Sequence, residues 1–269
     1  MPGRSSKGSS RRKAAPAGPS FSAQFLREVV LRRSAVPDFD RYPFSIPAIH
    51  NLDQLPLHPS VTFFVGENGS GKSTLLEGIA VAIGLNPEGG SRNFNFATRE
   101  SHSVLEEYLQ VMRGIARPRD SYFLRAESLY NVASEIERLS DLESGGPGLL
   151  SSYGGRSLHE QSHGESFLSL ILHRFGGAGI YLLDEPEAAL SPVRQMSFLA
   201  AIHQLVRADS QFIIATHSPI ILAYPNAWIY QFGDHPPRRT DYRETEHYLI
   251  TREFLEHTDR MLEVLLAYQ

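Results

Sequence analysis

Val61-Thr62-Phe63-Phe64-Val65-Gly66-Glu67-Asn68-Gly69-Ser70-Gly71-Lys72-Ser73-Thr74 is the stretch on which the fold turns. Its first five residues form a short apolar run ended by glycine, which suits a strand buried on both faces in a parallel sheet. From Gly66 to Ser73 the chain matches the phosphate-loop pattern in full. Residues 72–83 then read as a helix, with Leu75, Leu76, Ile79 and Ile83 at helical spacing and Gly84 as terminator. The glycines let successive backbone N–H groups point inward at a β-phosphate, and the helix presents its positive N-terminal end to the same anion. Lys72 is placed to bridge β- and γ-phosphates, and the Ser73 hydroxyl to ligate Mg²⁺. Gly66, Asn68, Gly69, Ser70, Gly71, Lys72, Ser73 and Thr74 are therefore candidate nucleotide-binding residues.

Two further strands end in polar residues. Ile180-Tyr181-Leu182-Leu183 delivers Asp184 and Glu185 at its carboxyl end, where open α/β sheets bind ligands. Asp184 is a candidate Mg²⁺ ligand, directly or through water. Glu185 is a candidate catalytic base, able to polarise the water that attacks a γ-phosphate. Phe212-Ile213-Ile214-Ala215-Thr216-His217 repeats the arrangement, and His217 can donate a hydrogen bond to the γ-phosphate. The bland readings are a solvated acidic turn and a satisfied structural histidine. Their position behind a phosphate loop favours the functional ones.

The remaining pattern is that of an α/β chain with a mostly parallel sheet. Expected strands are 44–50, 61–65, 122–126, 179–183, 211–215 and 227–232. Expected helices are 101–114, 128–140, 164–175, 192–207 and an amphipathic 251–267. Phe21 to Val36 reads as a short helix or an extended entry segment. The Gly- and Ser-rich stretch between the first and second motifs reads as a helical insert of about 97–163, within one domain spanning 21–269.

Composition bounds the alternatives. The chain has 269 residues, net charge −4 and no cysteine, which excludes disulfides and thiolate chemistry and fits a cytoplasmic protein. No apolar run is long enough for a membrane span. Residues 1–20 carry Arg4, Lys7, Arg11, Arg12 and Lys13 without an acid and are too poor in apolar residues to fold, so a disordered basic tail is expected. A nucleic-acid-binding arm and a transit peptide remain alternatives for it. Only three lysines occur against 23 arginines, and Lys72 alone lies outside the tail. It stands where a compact ammonium must enter between phosphate oxygens, which a planar guanidinium does badly.

The order of phosphate loop, Gln161-Ser162-His163-Gly164-Glu165, Leu182 to Glu187 and Ala215 to Ser218 resembles the ATP-binding-cassette class of ATPases. Within it, Asp184-Glu185-Pro186-Glu187-Ala188-Ala189-Leu190-Ser191-Pro192 resembles the branch of chromosome-maintenance, RecF-like and small AAA-type ATPases. The resemblance implies a P-loop fold, ATP and Mg²⁺ as cofactors, and an ATP-sandwich homodimer. In such a dimer Ser162, His163, Gly164 and Glu165 would complete the opposite subunit's site. His163 departs from the family pattern, which has glycine there; a plain N-capped helix is the other reading of this segment. Glu127 stands where the family has a glutamine, and is read either as a Mg²⁺ or water contact or as a helix-capping acid.

The function expected is thus Mg-dependent ATP hydrolysis driving an unidentified protein or nucleic-acid partner. Alternatives are the nucleotide-binding subunit of a membrane transporter and a non-catalytic ATP-gated binding module. A small-molecule P-loop kinase would have no use for Glu185 or His217.

Overall fold

The computed structural model describes residues 24–91, 103–126, 134 and 162–267. The basic tail, Glu127 and nearly all of the expected helix 128–140 lie outside those residues. The central element is a seven-stranded sheet. In chain order its strands are β3 (Val61–Val65), β4 (Gly90–Ser91), β6 (Asp120–Arg125), β7 (Gly179–Asp184), β8 (Gln211–Ala215), β9 (Trp228–Gln231) and β10 (Arg238–Thr240). Across the sheet they run β10-β9-β3-β8-β7-β6-β4. The five inner strands are parallel and only the two edges antiparallel. A smaller antiparallel sheet, β2-β1-β5, is built from β1 (Leu26–Leu31), β2 (Gln54–Pro56) and β5 (Leu109–Arg113).

Alternation along the buried strands feeds two cores, because successive side chains point to opposite faces. Phe63, Leu183, Phe212 and Ile214 pack on one face with Phe167, Leu170, Phe198 and Ile202. The latter four come from α3 (His163–Arg174) and α4 (Pro192–Arg207). On the other face Phe64, Leu182, Ile213 and Ala215 meet Leu75, Leu76 and Ile79 of α2 (Lys72–Ala82), together with Val29 and Leu31 of the small sheet. Helix α2 stops as expected, with Gly84 in the left-handed region at φ 92°.

Several expected elements differ. Residues 44–50 are not a strand: Pro47 takes the first position of a short helix, α1 (Pro47–His50), after an extended Ile46. That position suits proline, whose missing N–H has no intrahelical partner there in any case. The expected helix 101–114 is a 3-10 turn over Val104–Tyr108, capped by the Ser103 hydroxyl, followed by β5. Pairing of Leu109 to Val111 with Leu31 to Val29 makes the strand, so tertiary context overrides local propensity. Strand β6, expected inside the insert, is a parallel member of the central sheet beside β7. The C-terminal helix begins earlier and breaks in two, α6 (Glu246–Glu256) and α7 (Thr258–Leu266), at His257. Between β8 and β9 the short α5 (Pro219–Leu222) is capped by Ser218.

Gln211 ties the two sheets together. Its side chain is fully buried. Oε1 accepts the N–H groups of Phe25 (3.1 Å) and Leu26 (2.9 Å), and Nε2 donates to the carbonyls of Leu26 (2.7 Å) and His58 (2.9 Å). Gln211→Leu removes these partners from the Phe25 and Leu26 N–H groups and the His58 carbonyl, while the Leu26 carbonyl keeps the Gln24 amide, and is expected to lower stability by roughly 3 kcal/mol. A urea titration comparing midpoints checks it.

Candidate functional site

Parallel pairing sets the strand ends level. Phe64 of β3 lies opposite Ala215 of β8, and Asp184 of β7 lies opposite the same Ala215. The chain leaves all three strands at one edge, so the phosphate loop, the Asp184-Glu185 pair and the Thr216-His217 turn converge there.

The loop itself is shaped by close approach. Gly66 has φ 152°, and a Cβ there would stand 2.5 Å from the carbonyl oxygen of Phe232. Gly69 and Gly71 also take positive φ, and Gly71 is the N-cap of α2. Lys72 is buried, and its Nζ donates to the carbonyls of Gly66 (2.8 Å) and Glu67 (2.9 Å) across the loop. Burial pushes its ammonium pKa down, while the nearby Glu185, Asp184, Glu187 and Glu67 carboxylates push the other way. The Ser70 hydroxyl is buried in the loop with no hydrogen-bond partner among the described residues. A concave loop with an unpaired donor and a bridging ammonium can receive an anion. Asn68, Gly69 and Ser70 also line an open cavity of about 600 Å³, whose other wall includes Phe232 and His235. Thr74 lies in the first turn of α2.

Ser73 donates its hydroxyl to Asp184 Oδ1 at 2.8 Å. The other carboxylate oxygen faces Arg125 Nε at 3.5 Å, and Arg125 Nη1 is held by Glu77 Oε2 at 2.7 Å. Burial raises the Asp184 carboxyl to about 6, despite the opposing effects of Arg125 and the Ser73 hydrogen bond. A hydroxyl and a buried carboxylate in contact are hard oxygen donors, and they fit a magnesium ion.

Glu185 adopts the left-handed conformation, φ 49° and ψ 52°, unusual for a residue with a Cβ. Such backbone costs on the order of 1 kcal/mol and persists only where its surroundings enforce it. Here the Glu185 N–H donates to the Ala215 carbonyl at 2.9 Å. The kink leaves Glu185 Oε1 3.6 Å from His217 Nε2. Glu185 is partly exposed, with 39% of its side chain open, so solvent reaches it.

Some contributors were not assigned a role from sequence. Glu187 accepts hydrogen bonds from the Thr216 hydroxyl (2.7 Å) and from the His217 backbone N–H. It therefore ties the turn after β7 to the turn after β8. Burial raises its carboxyl pKa and those two hydrogen bonds lower it. Glu77 and Arg125 support Asp184, and His247 of α6 contacts the His217 ring at 2.9 Å. Arg125 stands opposite Asp184 in the β6–β7 register, which a strand alignment could have suggested. Glu77 and His247 belong to helices and have no local sequence signal.

The Ser162 to Glu165 segment opens α3. The Glu165 carboxylate accepts the Ser162 N–H at 3.0 Å, and Arg194 donates to both the Ser162 hydroxyl (3.0 Å) and Glu165 (2.9 Å). These hydrogen bonds hold the Glu165 pKa below the usual glutamate range, the Ser162 N–H contributing most. Gly164 is needed for packing: a Cβ would stand 2.6 Å from Arg194 Nη1 and 2.7 Å from the Ala189 carbonyl. Among the described residues, Ser162 and Glu165 thus bond to each other, to Ser166 and to Arg194, while Lys72, Ser73, Asp184, Glu185 and His217 form a separate cluster. The His163 side chain and Glu127 lie outside the described residues.

A phosphate loop opening a helix, beside level strand ends carrying Asp184 and His217, defines the class: a P-loop domain with a site shaped to receive an anion. Family comparison agrees. Residues 45–129 match the model of an AAA domain. Residues 149–223 match that of an AAA domain described as putative AbiEii toxin, Type IV TA system. A curated relative, ABC transporter G family member STR2 of Medicago truncatula, is 25% identical over 190 residues, covering 65% of this chain and 26% of that protein. The chain thus spans about a quarter of that relative's length. Among solved structures, the SMC head domain from Thermotoga maritima is similar with a TM-score of 0.45 and 14% identity, over 81% of this chain and 100% of that one. The structure of cbiO1 from Clostridium perfringens, part of the ABC transporter complex cbiONQ, is similar with a TM-score of 0.47 and 16% identity, over 90% and 99%. No helix among the described residues is long and apolar enough to cross a membrane.

Because Glu187 is the shared acceptor for the Thr216 hydroxyl and the His217 N–H, Glu187→Ala is expected to destabilise the fold by about 1–3 kcal/mol. The readout is the midpoint of urea unfolding.

Proposed function

We propose that the chain binds ATP with magnesium and hydrolyses it, with Glu185 as general base. The observation that carries this reading is the 2.8 Å contact between Ser73 and Asp184, which joins the phosphate loop to the strand that delivers Glu185. Lys72 would bind the β- and γ-phosphates, with the inward-facing amides of residues 66–73 around the β-phosphate. Ser73 and Asp184 would hold Mg²⁺, which when bound supplies positive charge to offset that on the phosphates. Glu185 would accept a proton from the attacking water, and its exposure leaves room for that water. His217, braced at its backbone by Glu187, would donate to the γ-phosphate.

Completion of the site by a second copy is part of the proposal. Among the described residues, Ser162 and Glu165 do not hydrogen-bond to the Lys72–Asp184 cluster within one chain, and a helix N-terminus anchored by Arg194 suits an anion presented from another chain. Two chains closing around two ATP molecules, and opening after hydrolysis, would drive a protein or nucleic-acid partner.

Lys72→Ala is expected to weaken ATP binding roughly 100-fold, since it removes a charged donor to phosphate. Calorimetric titration with ATP measures it; unchanged affinity rejects the phosphate-loop role. Glu185→Gln is expected to keep ATP affinity and trap a dimer in Mg-ATP, seen as a doubled mass by light scattering. Unimpaired turnover by Glu185→Gln sinks the general-base assignment, and a mass indifferent to ATP sinks the sandwich.

A further inference from the structure

His217 is held at two points. Its backbone N–H is bound by Glu187, and its ring meets a second histidine, His217 Nδ1 lying 2.9 Å from His247 Nε2. The ring centroids are 5.1 Å apart and the planes inclined at 50°, so the contact is a nitrogen-to-nitrogen hydrogen bond and not a stack. His247 belongs to the first turn of α6, and the frame around it is built. The buried Thr245 at the N-cap accepts the Tyr248 N–H (3.3 Å) and donates to the Tyr242 carbonyl (2.8 Å). The Tyr242 hydroxyl in turn donates to the Pro219 carbonyl at 3.0 Å, two residues beyond His217. The C-terminal segment is therefore fastened to the turn that carries His217.

A hydrogen bond between two imidazoles needs one proton, so one ring donates and the other accepts. Burial, with the Lys72 charge nearby, holds both rings below the ordinary histidine range, so the neutral forms are the ones to compare. If His217 donates from Nδ1, its Nε2 lone pair faces the Glu185 carboxylate 3.6 Å away. His247 would then carry its proton on Nδ1, a buried atom with no hydrogen-bond partner among the described residues. That arrangement sets a lone pair against an anion, which is repulsive. If His247 donates from Nε2, the His217 proton sits on Nε2 and points toward Glu185. In either arrangement His217 Nε2 and His247 Nδ1 stay buried without a hydrogen-bond partner among the described residues. The second arrangement wins because it turns an N–H, and not a lone pair, toward the Glu185 carboxylate.

We propose that His247 is a positioning residue, which holds His217 in the tautomer with its proton on Nε2 and so keeps a donor ready for the γ-phosphate. This rests on the reading of His217 given above. Without His247 the His217 ring is released to place a lone pair against the phosphate, which is repulsive. The C-terminal helix α6 thereby becomes part of the nucleotide site although it carries no recognised motif.

The test uses the full chain labelled with ¹⁵N-histidine, with resonances assigned by their loss in His217→Gln and His247→Gln. Long-range proton–nitrogen spectra of the unmodified chain are expected to show His217 and His247 both protonated on Nε2. In His247→Phe the His217 resonances should move to a mixture of tautomers. ATP turnover should fall about tenfold in kcat with little change in KM, the loss of one favourable hydrogen bond to phosphate. His247→Gln, whose amide nitrogen reaches the position of Nε2, should restore most of the rate, whereas His247→Asn should not. A His217 proton found on Nδ1 in the unmodified chain overturns the proposal, as does a His247→Phe chain with the same His217 tautomer and the same kcat. If the unmodified chain turns over no ATP, the hydrolysis reading fails, while the spectra still decide the tautomer.

Discussion

Register between parallel strands is the constraint on which the site depends. Asp184 and Phe64 flank the same residue, Ala215, on neighbouring strands, so the three chain segments emerge at one height. A slip of one residue in any of these strands would turn its side chains to the opposite face and exchange residues between the two cores. Both cores are well filled by large groups such as Phe63, Phe64, Tyr181 and Phe212, all fully buried. Hydrophobic packing on both faces thus sets the height of a polar edge, which hydrogen bonds from Ser73, Thr216 and the His217 N–H then brace.

At that edge charge is concentrated more than balanced. Asp184, Glu185, Glu187 and Glu67 all act on Lys72, and Arg125 is the other cation at Asp184. Burial raises the carboxyl groups of Asp184 and Glu187, which measures how reluctantly these acids hold their charge with the partners around them. The excess of carboxylate suits a divalent cation, while Lys72 and the unpartnered Ser70 hydroxyl in the loop suit an anion. The kink at Glu185 belongs to the same economy: its φ of 49° is tolerated because the Ala215 carbonyl fastens the residue's N–H.

Two links tie this edge to distant parts of the chain. Glu187 joins the turn after β7 to the turn after β8, so Glu185 and His217 cannot move independently without breaking hydrogen bonds. The His217–His247 contact then extends the connection into the C-terminal helices. These present Leu249, Ile250, Leu255 and Leu265 to solvent.

Much of this was legible in the sequence, for identifiable reasons. Residues 61–74 specify strand, loop and helix through short-range rules: an apolar run, glycines at positions that need positive φ, and helical spacing after Lys72. The same local logic identified the strands ending at Asp184 and Ala215 and the proline-started helix from Pro192. Local rules failed at 44–50 and 101–114, where an N1 proline and pairing with β1 decided the outcome. They were silent on Glu77, Arg125, Arg194, Gln211 and His247, whose parts depend on partners 29 to 186 residues away in the chain. The sequence by itself determined the phosphate loop, the identity of its lysine and hydroxyl, and the parallel α/β class, because each depends on neighbours within a few residues. Only the tertiary structure decided what surrounds those groups, since a hydrogen bond between residues far apart in the chain exists only after sheet register has brought them together.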